Sequence, residues 1–179
     1  MTTVFTHPAV PLALGLGLGA RAVSARLLAA GAVASVLPDA DVLAFRFGVP
    51  YAAALGHRGF THSITFALAL ALLGAALSRP LRTAPSRAFV FLFVATISHA
   101  LLDALTTGGL GVALLWPFSA ERFFAPVQVI AVSPISLSRF LTDGGLAVLR
   151  SELLWVWLPA VALAAGLALA RRERSQTRP

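Results

Sequence analysis

Apolar residues run along this chain in long blocks, separated by short clusters of arginine, proline and glycine. Three blocks, residues 61–78, 88–105 and 153–170, approach the roughly 20 residues that an α-helix needs to cross a bilayer. Two shorter blocks, 8–22 and 25–37, are parted by Arg21, Ser24 and Arg26. They are expected to form a helical hairpin packed against the other three. The expected fold is all-α: a polytopic transmembrane bundle of about five helices, forming one integral-membrane domain over residues 1–179. Within it, the motif-bearing part covers residues 6–119 and the last transmembrane helix 153–170. Residues 108–151 carry apolar runs broken by Pro117, Pro126, Pro134 and Gly144–Gly145. That segment reads as an interfacial or re-entrant cap. No secretory signal is read at the N-terminus, because no basic residue precedes the first apolar run.

Composition supports the membrane reading and removes several others. Hydrophobic residues make up 58% of the chain and charged residues 12%, against about 45–50% and 25% in a soluble domain. The absence of cysteine excludes a disulfide scaffold, a thiolate nucleophile and thiolate zinc ligands. A net charge of +7, carried by 14 basic residues that are all arginine, raises the question of nucleic acid. The arginines stand in ones and twos between apolar blocks, however, with one cluster at Arg171, Arg172 and Arg174. This is the distribution of loop charges that orient a membrane protein, so no nucleic-acid partner is expected. The positive-inside rule places Arg21 and Arg26, Arg79, Arg82 and Arg87, and the C-terminal cluster in the cytoplasm. Five crossings satisfy it, with the N-terminus outside. Arg46, Arg58, Arg122, Arg139 and Arg150 run against it.

The chemistry-bearing residues then fall at one end of the expected bundle. His7 precedes the first helix, and Asp39 and Asp41 follow the second. His57 and His62 open the third, and His99 and Asp103 close the fourth. Alternating crossings bring all four histidines and three of the acids to the outer face, although almost a hundred residues separate them in sequence. Ionisable groups buried in a bilayer are costly and are normally paired or functional. His99 and Asp103, four residues apart, share one helical face. Histidine and aspartate together suit zinc, manganese or iron, and seven potential ligands exceed one tetrahedral ion, so two or more ions fit the count. Each residue also has a plainer reading. His7 could begin a helix, Asp39 and Asp41 could cap a turn, His99 and Asp103 could hold helices together, and Arg58 could pair with an aspartate.

The blocks Thr6-His7, Leu37-Pro38-Asp39-Ala40-Asp41, His57-Arg58-Gly59-Phe60-Thr61-His62-Ser63 and Ser98-His99 with Asp103 and Thr106 resemble a known family. They look like the predicted membrane-bound metal-dependent hydrolases, the inner-membrane proteins of the YdjM/YbcI type. The order matches over residues 6–119 when Trp116-Pro117-Phe118-Ser119 is counted as the family's aromatic-proline turn. A looser similarity is to zinc-dependent phospholipase C. That similarity implies His7, Asp39, His62, His99 and Asp103 as metal ligands, with His57 and Asp41 next in line. The chain departs from it in lacking a glutamate at a matching position, Glu121 being the only candidate.

The function expected from these readings is a metal-dependent hydrolase at the outer face of the cytoplasmic membrane, acting on a phosphoester of a lipid or lipid-linked substrate. A divalent metal, zinc above others, would lower the pKa of a bound water towards roughly 7, and two ions about 3.5–4 Å apart could hold both reacting oxygens. Arg58 would stabilise phosphoryl charge, and His57 would donate a proton to the leaving group. Two alternatives stand beside this one. The first is a metal-ion transporter, which usually places its site near the midplane. The second is a structural membrane protein whose closed metal site ties its helices together.

Overall fold

The computed structural model describes residues 1–176, and it contains five principal helices and no strands among them. Helix α1 spans Ala9–Leu18 and α2 spans Ala25–Val36. Helix α3 spans Ile64–Ala76, α4 spans Pro85–Ala104, and α5 spans Gly145–Gln176 with a π-helical turn over Leu153–Trp157. Local chemistry fixes the starts. Ser24 and Ser63 each accept a bond from the backbone N–H three residues on, both at 3.1 Å, which satisfies a donor that the first turn leaves open. Pro85 opens α4, where a missing N–H costs nothing.

The expected all-helical class holds, but three boundaries differ. Residues 25–37 read as a short block, yet α2 continues beyond Val36 as a 3-10 helix over Leu37–Phe47, so the whole helix is 23 residues long. Pro38 lacks the N–H that another α-turn would use, and the chain tightens there. Residues 61–78 read as a full crossing, yet α3 has only 13 residues, about 20 Å of rise against a core of about 30 Å. A 3-10 turn at Phe60–His62 and the Ser63 cap delay its start. The last helix begins at Gly145 rather than residue 153, because Arg150 and Glu152 interrupt the apolar run without breaking the helix. Three helices are long and apolar enough to span a membrane: Ala25–Phe47, Pro85–Ala104 and Gly145–Gln176.

Packing divides the bundle into two layers. Helix α1 lies along α5, while α2 and α3 both pack on α4. One apolar cluster joins Ala9 and Ala13 to Leu102, Val156 and Ala160; the other joins Leu27 and Ala34 to Ala88, Phe91 and Leu92. Leu16, Val33, Leu72, Val90, Leu163 and Leu169 face outward, as expected where the solvent is hydrocarbon. Residues 105–136 are irregular and are tied across the end of the bundle by Ala113 N–H to Arg58 O at 2.9 Å and by Ile64 N–H to Leu114 O at 3.0 Å.

Helices α2 and α4 approach closely at Gly31, where a Cβ would lie 2.4 Å from a Phe91 ring carbon. Gly31→Leu is therefore expected to force the pair apart and lower thermal stability in detergent by about 1–3 kcal/mol, or several degrees. Gly166→Leu, which meets open space, serves as the comparison and should melt close to the parent.

Candidate metal centre

The last two turns of α4 project His99 and Asp103 from one face into the end of the bundle, where both are fully buried. The 3-10 extension of α2 brings Asp39 and Asp41, and the turn before α3 brings His62. Asp39, His62, His99 and Asp103 each offer one ligand atom, and these atoms lie within 4.8 Å of one another. His62 Nε2 is 3.0 Å from His99 Nε2 and 3.5 Å from Asp103 Oδ2, and His99 Nε2 is 3.5 Å from Asp39 Oδ1. Ligand atoms on a tetrahedral ion with zinc–nitrogen bonds of about 2.0–2.1 Å stand roughly 3.3 Å apart.

Hydrogen bonding gives the residues a form that suits a cation. His99 Nδ1 is 2.7 Å from the Ser35 carbonyl, which can only accept, so Nδ1 carries the proton and Nε2 a lone pair. Thr61 donates its hydroxyl to Asp41 Oδ2 at 2.7 Å and so accepts from His62 Nδ1 at 3.0 Å, while Asp41 Oδ2 also stands 3.3 Å from that nitrogen. In the neutral ring the Nε2 of His62 is then a lone pair too. Two lone pairs facing each other at 3.0 Å repel unless a positive charge lies between them. Both carboxylate oxygens of Asp39 are buried without a hydrogen-bond partner, which is costly for an ionised group unless it meets a cation. The donor set therefore fits a divalent metal.

A second group, Asp41, His57 and His62, adjoins the first. Asp41 Oδ1 accepts from His57 Nδ1 at 2.7 Å, and His57 Nε2 is buried with no partner. His57 lies in a tight loop that only glycine can close: a Cβ on Gly59 would sit 2.2 Å from Ala54 O. His7 lies against the four-residue set rather than within it. Its ring stacks on His99 at 3.6 Å, its Nε2 contacts Thr2 Oγ1 at 2.7 Å, and it stands 3.6 Å from Asp39 Oδ2 and 3.8 Å from Asp103 Oδ1. Burial, and then the neighbouring His99, pushes the His7 pKa down to about 3, so the ring is neutral at physiological pH.

Arg58 turns inward instead of facing an open site. It is fully buried, with Nε donating to Asp103 Oδ2 at 3.0 Å, Nη1 to Gly108 O at 2.9 Å and Nη2 to Thr106 Oγ1 at 2.9 Å. Its backbone adopts a positive φ of 62°, held by its own N–H on Asp41 Oδ2. The guanidinium thus fixes Asp103 from behind, and Thr2 N–H fixes the other oxygen at 2.8 Å.

Two contributors were missed in the sequence. Thr2 was unremarkable there, yet it touches both Asp103 and His7. Glu152 has no place in the sequence reading, yet it is buried and accepts from Thr3 N–H, from Thr3 Oγ1 at 2.6 Å and from Thr6 Oγ1 at 2.8 Å. Its signal was a lone acid at the threshold of an apolar helix, followed at once by Leu153 and Leu154. Glu121, the glutamate singled out instead, is exposed.

An all-helical membrane protein with a buried histidine–aspartate cluster at one end of its bundle is the class that fold and site define. The profile of the family described as YdjM inner membrane protein matches residues 1–176, and the chain belongs to that family. It is similar to the inner membrane protein YbcI of Escherichia coli (strain K12), at 54% identity over 173 residues, which cover 96% of this chain and all of YbcI. No solved structure matches.

Proposed function

We propose that the chain is a membrane-embedded, metal-dependent hydrolase acting on a phosphoester of a lipid or lipid-linked substrate at the outer face of the membrane. The observation that carries this reading is the pair of facing Nε2 atoms of His62 and His99, 3.0 Å apart beside the unpartnered carboxylate of Asp39. Asp39, His62, His99 and Asp103 hold the ion, which is zinc by preference, with His7 packed against them and Asp41 steering His62. A divalent ion here supplies Lewis acidity and a water that ionises near neutral pH. Arg58 holds Asp103 in its ionised, ligating form. His57, oriented by Asp41 through Nδ1, presents its free Nε2 as the group that moves a proton to or from the reacting oxygens.

A cavity of about 640 Å³ supports the lipid substrate. It runs between the N-terminal segment and α2, and Asp39 is its one ionisable lining residue, among apolar neighbours such as Val4, Val33, Val36 and Leu43. Such a groove admits an acyl or isoprenyl chain from the bilayer and ends at a ligand. The test is phosphate or headgroup release from short-chain phosphatidic acid and phosphatidylcholine in mixed micelles with zinc-loaded protein. The parent is expected to turn over at least one of them. His57→Ala should keep its metal and lose about 10²–10⁴ in rate. Stoichiometric metal without turnover on either lipid would favour the helix-tying role instead.

A further inference from the structure

The opposite end of the bundle carries a second site, independent of the metal centre. Here the turn between α1 and α2, the first turn of α4 and the last turns of α5 enclose a cavity of about 710 Å³. Arg21, Arg87, Arg171 and Arg172 line it, and no acidic side chain does. Two of these arginines donate to backbone carbonyls. Arg87 Nη1 donates to Arg21 O at 3.3 Å, and Arg171 Nη1 donates to Leu16 O at 3.3 Å and Gly17 O at 3.0 Å.

Four cations around one cavity repel one another, and carbonyl dipoles offset only part of that. Arg87 has an added cost, since it lies in the first turn of α4, where the helix dipole disfavours a positive charge. The cavity also borders Ala25, the first residue of α2, where a helix presents its positive end. The backbone makes room for this arrangement. Gly19 has a φ of +79°, and a Cβ there would lie 1.8 Å from Arg171 Nη1, so any side chain at position 19 evicts the guanidinium.

The occupant this chemistry recognises is an anion with several oxygens, because the planar forks of arginine match phosphate geometry. The remaining walls are apolar and point to a source. Leu16, Leu18, Val23 and Leu28 line the cavity, and Leu16 and Leu18 continue onto the outward surface of α1. A free phosphate makes no use of those walls, whereas the acyl chains of a phospholipid lie along them while the headgroup sits among the arginines. We propose that this arginine-lined cavity binds the phosphate headgroup of an anionic phospholipid.

The experiment is thermal unfolding of the detergent-purified full chain with added phosphatidylglycerol, with phosphatidylcholine of the same acyl chains, or with inorganic phosphate. Phosphatidylglycerol is expected to raise the melting temperature by about 3 °C or more, and the zwitterionic lipid to raise it by less than half as much. The double variant Arg171→Gln/Arg172→Gln should lose the difference between the two lipids. If that variant does not fold, Arg87→Gln gives the same reading. Arg46→Gln removes an exposed arginine from the 3-10 extension of α2 and should keep the difference. Equal shifts from both lipids, retention of the shift in the cavity variants, or its loss in Arg46→Gln would each overturn the proposal. So would inorganic phosphate reproducing the full shift, since that describes a site for a soluble anion.

Discussion

Asp103→Asn is expected to destabilise the metal-free protein by about 3–5 kcal/mol, the cost of stranding one partner of a buried ion pair. Asp103 Oδ2 accepts from Arg58 Nε at 3.0 Å with both side chains wholly buried, and Oδ1 accepts from Thr2 N–H at 2.8 Å. An asparagine of the same shape has one oxygen in place of two. Its NH2 must then face either the guanidinium or the Thr2 amide, donor against donor. Arg58 cannot escape to water, because its other nitrogens are anchored on Gly108 and Thr106. Replacing both partners, as in Arg58→Met/Asp103→Asn, removes the stranded charge. The double variant should cost less than the sum of the singles, with a coupling of about 1–3 kcal/mol. The measurement is denaturant or thermal unfolding in detergent with chelator present throughout, so that a lost metal ligand does not enter the comparison. Additive single-variant costs would show that Arg58 and Asp103 act separately, and the account of Arg58 as the support of Asp103 would fall.

The convergence of distant residues on one end of the bundle was legible in the sequence because two independent patterns agree on it. Apolar block lengths set the alternation of the helices, and His57, His62, His99 and Asp103 each fall at the end of a block that this alternation brings to one face. The four-residue spacing of His99 and Asp103 needed only the period of a helix. What was not legible depended on geometry that composition does not encode. An aspartate in an apolar stretch looks like a boundary, so the 3-10 path through Asp39 and Asp41 was read as the end of α2; a tightened helix carries the same residues onward. Glu152 was passed over. Arg58 is expected from the sequence to stabilise phosphoryl charge, with an aspartate partner as its plainer reading, and the structure gives it that partner in Asp103. Its burial depends on three acceptors from residues 103–108 reaching it at once, a tertiary coincidence that no local pattern predicts. Thr2 and Thr6 are short polar side chains in an undistinguished segment, and they matter only because Asp103, His7 and Glu152 surround them.

Purified protein that has never met a chelator is expected to hold a divalent metal, read by plasma mass spectrometry, and His99→Ala is expected to hold less than about a tenth of it. The argument rests on what the four groups lose when nothing lies between them. His62 and His99 then face each other through lone pairs, and the Asp39 carboxylate has no hydrogen-bond partner. Chelation should therefore lower stability as well as empty the site, by about 4 kcal/mol when free metal stands at a thousand times its dissociation constant. Asp41→Asn touches none of the nitrogen and oxygen atoms that would meet the ion, and reaches the set through His62 Nδ1, with His57, Thr61 and the Arg58 N–H as its other partners. It should weaken metal affinity by about 10–100-fold and not abolish binding. Two ions per chain in the parent, falling to one in Asp41→Asn, would assign the second ion to Asp41, His57 and His62, which lie close enough to share it. One ion per chain in both would leave Asp41 and His57 as an orienting and proton-carrying pair. If His99→Ala retained the metal of the parent, the ion would lie elsewhere, and the facing Nε2 atoms would need a shared proton in place of a metal.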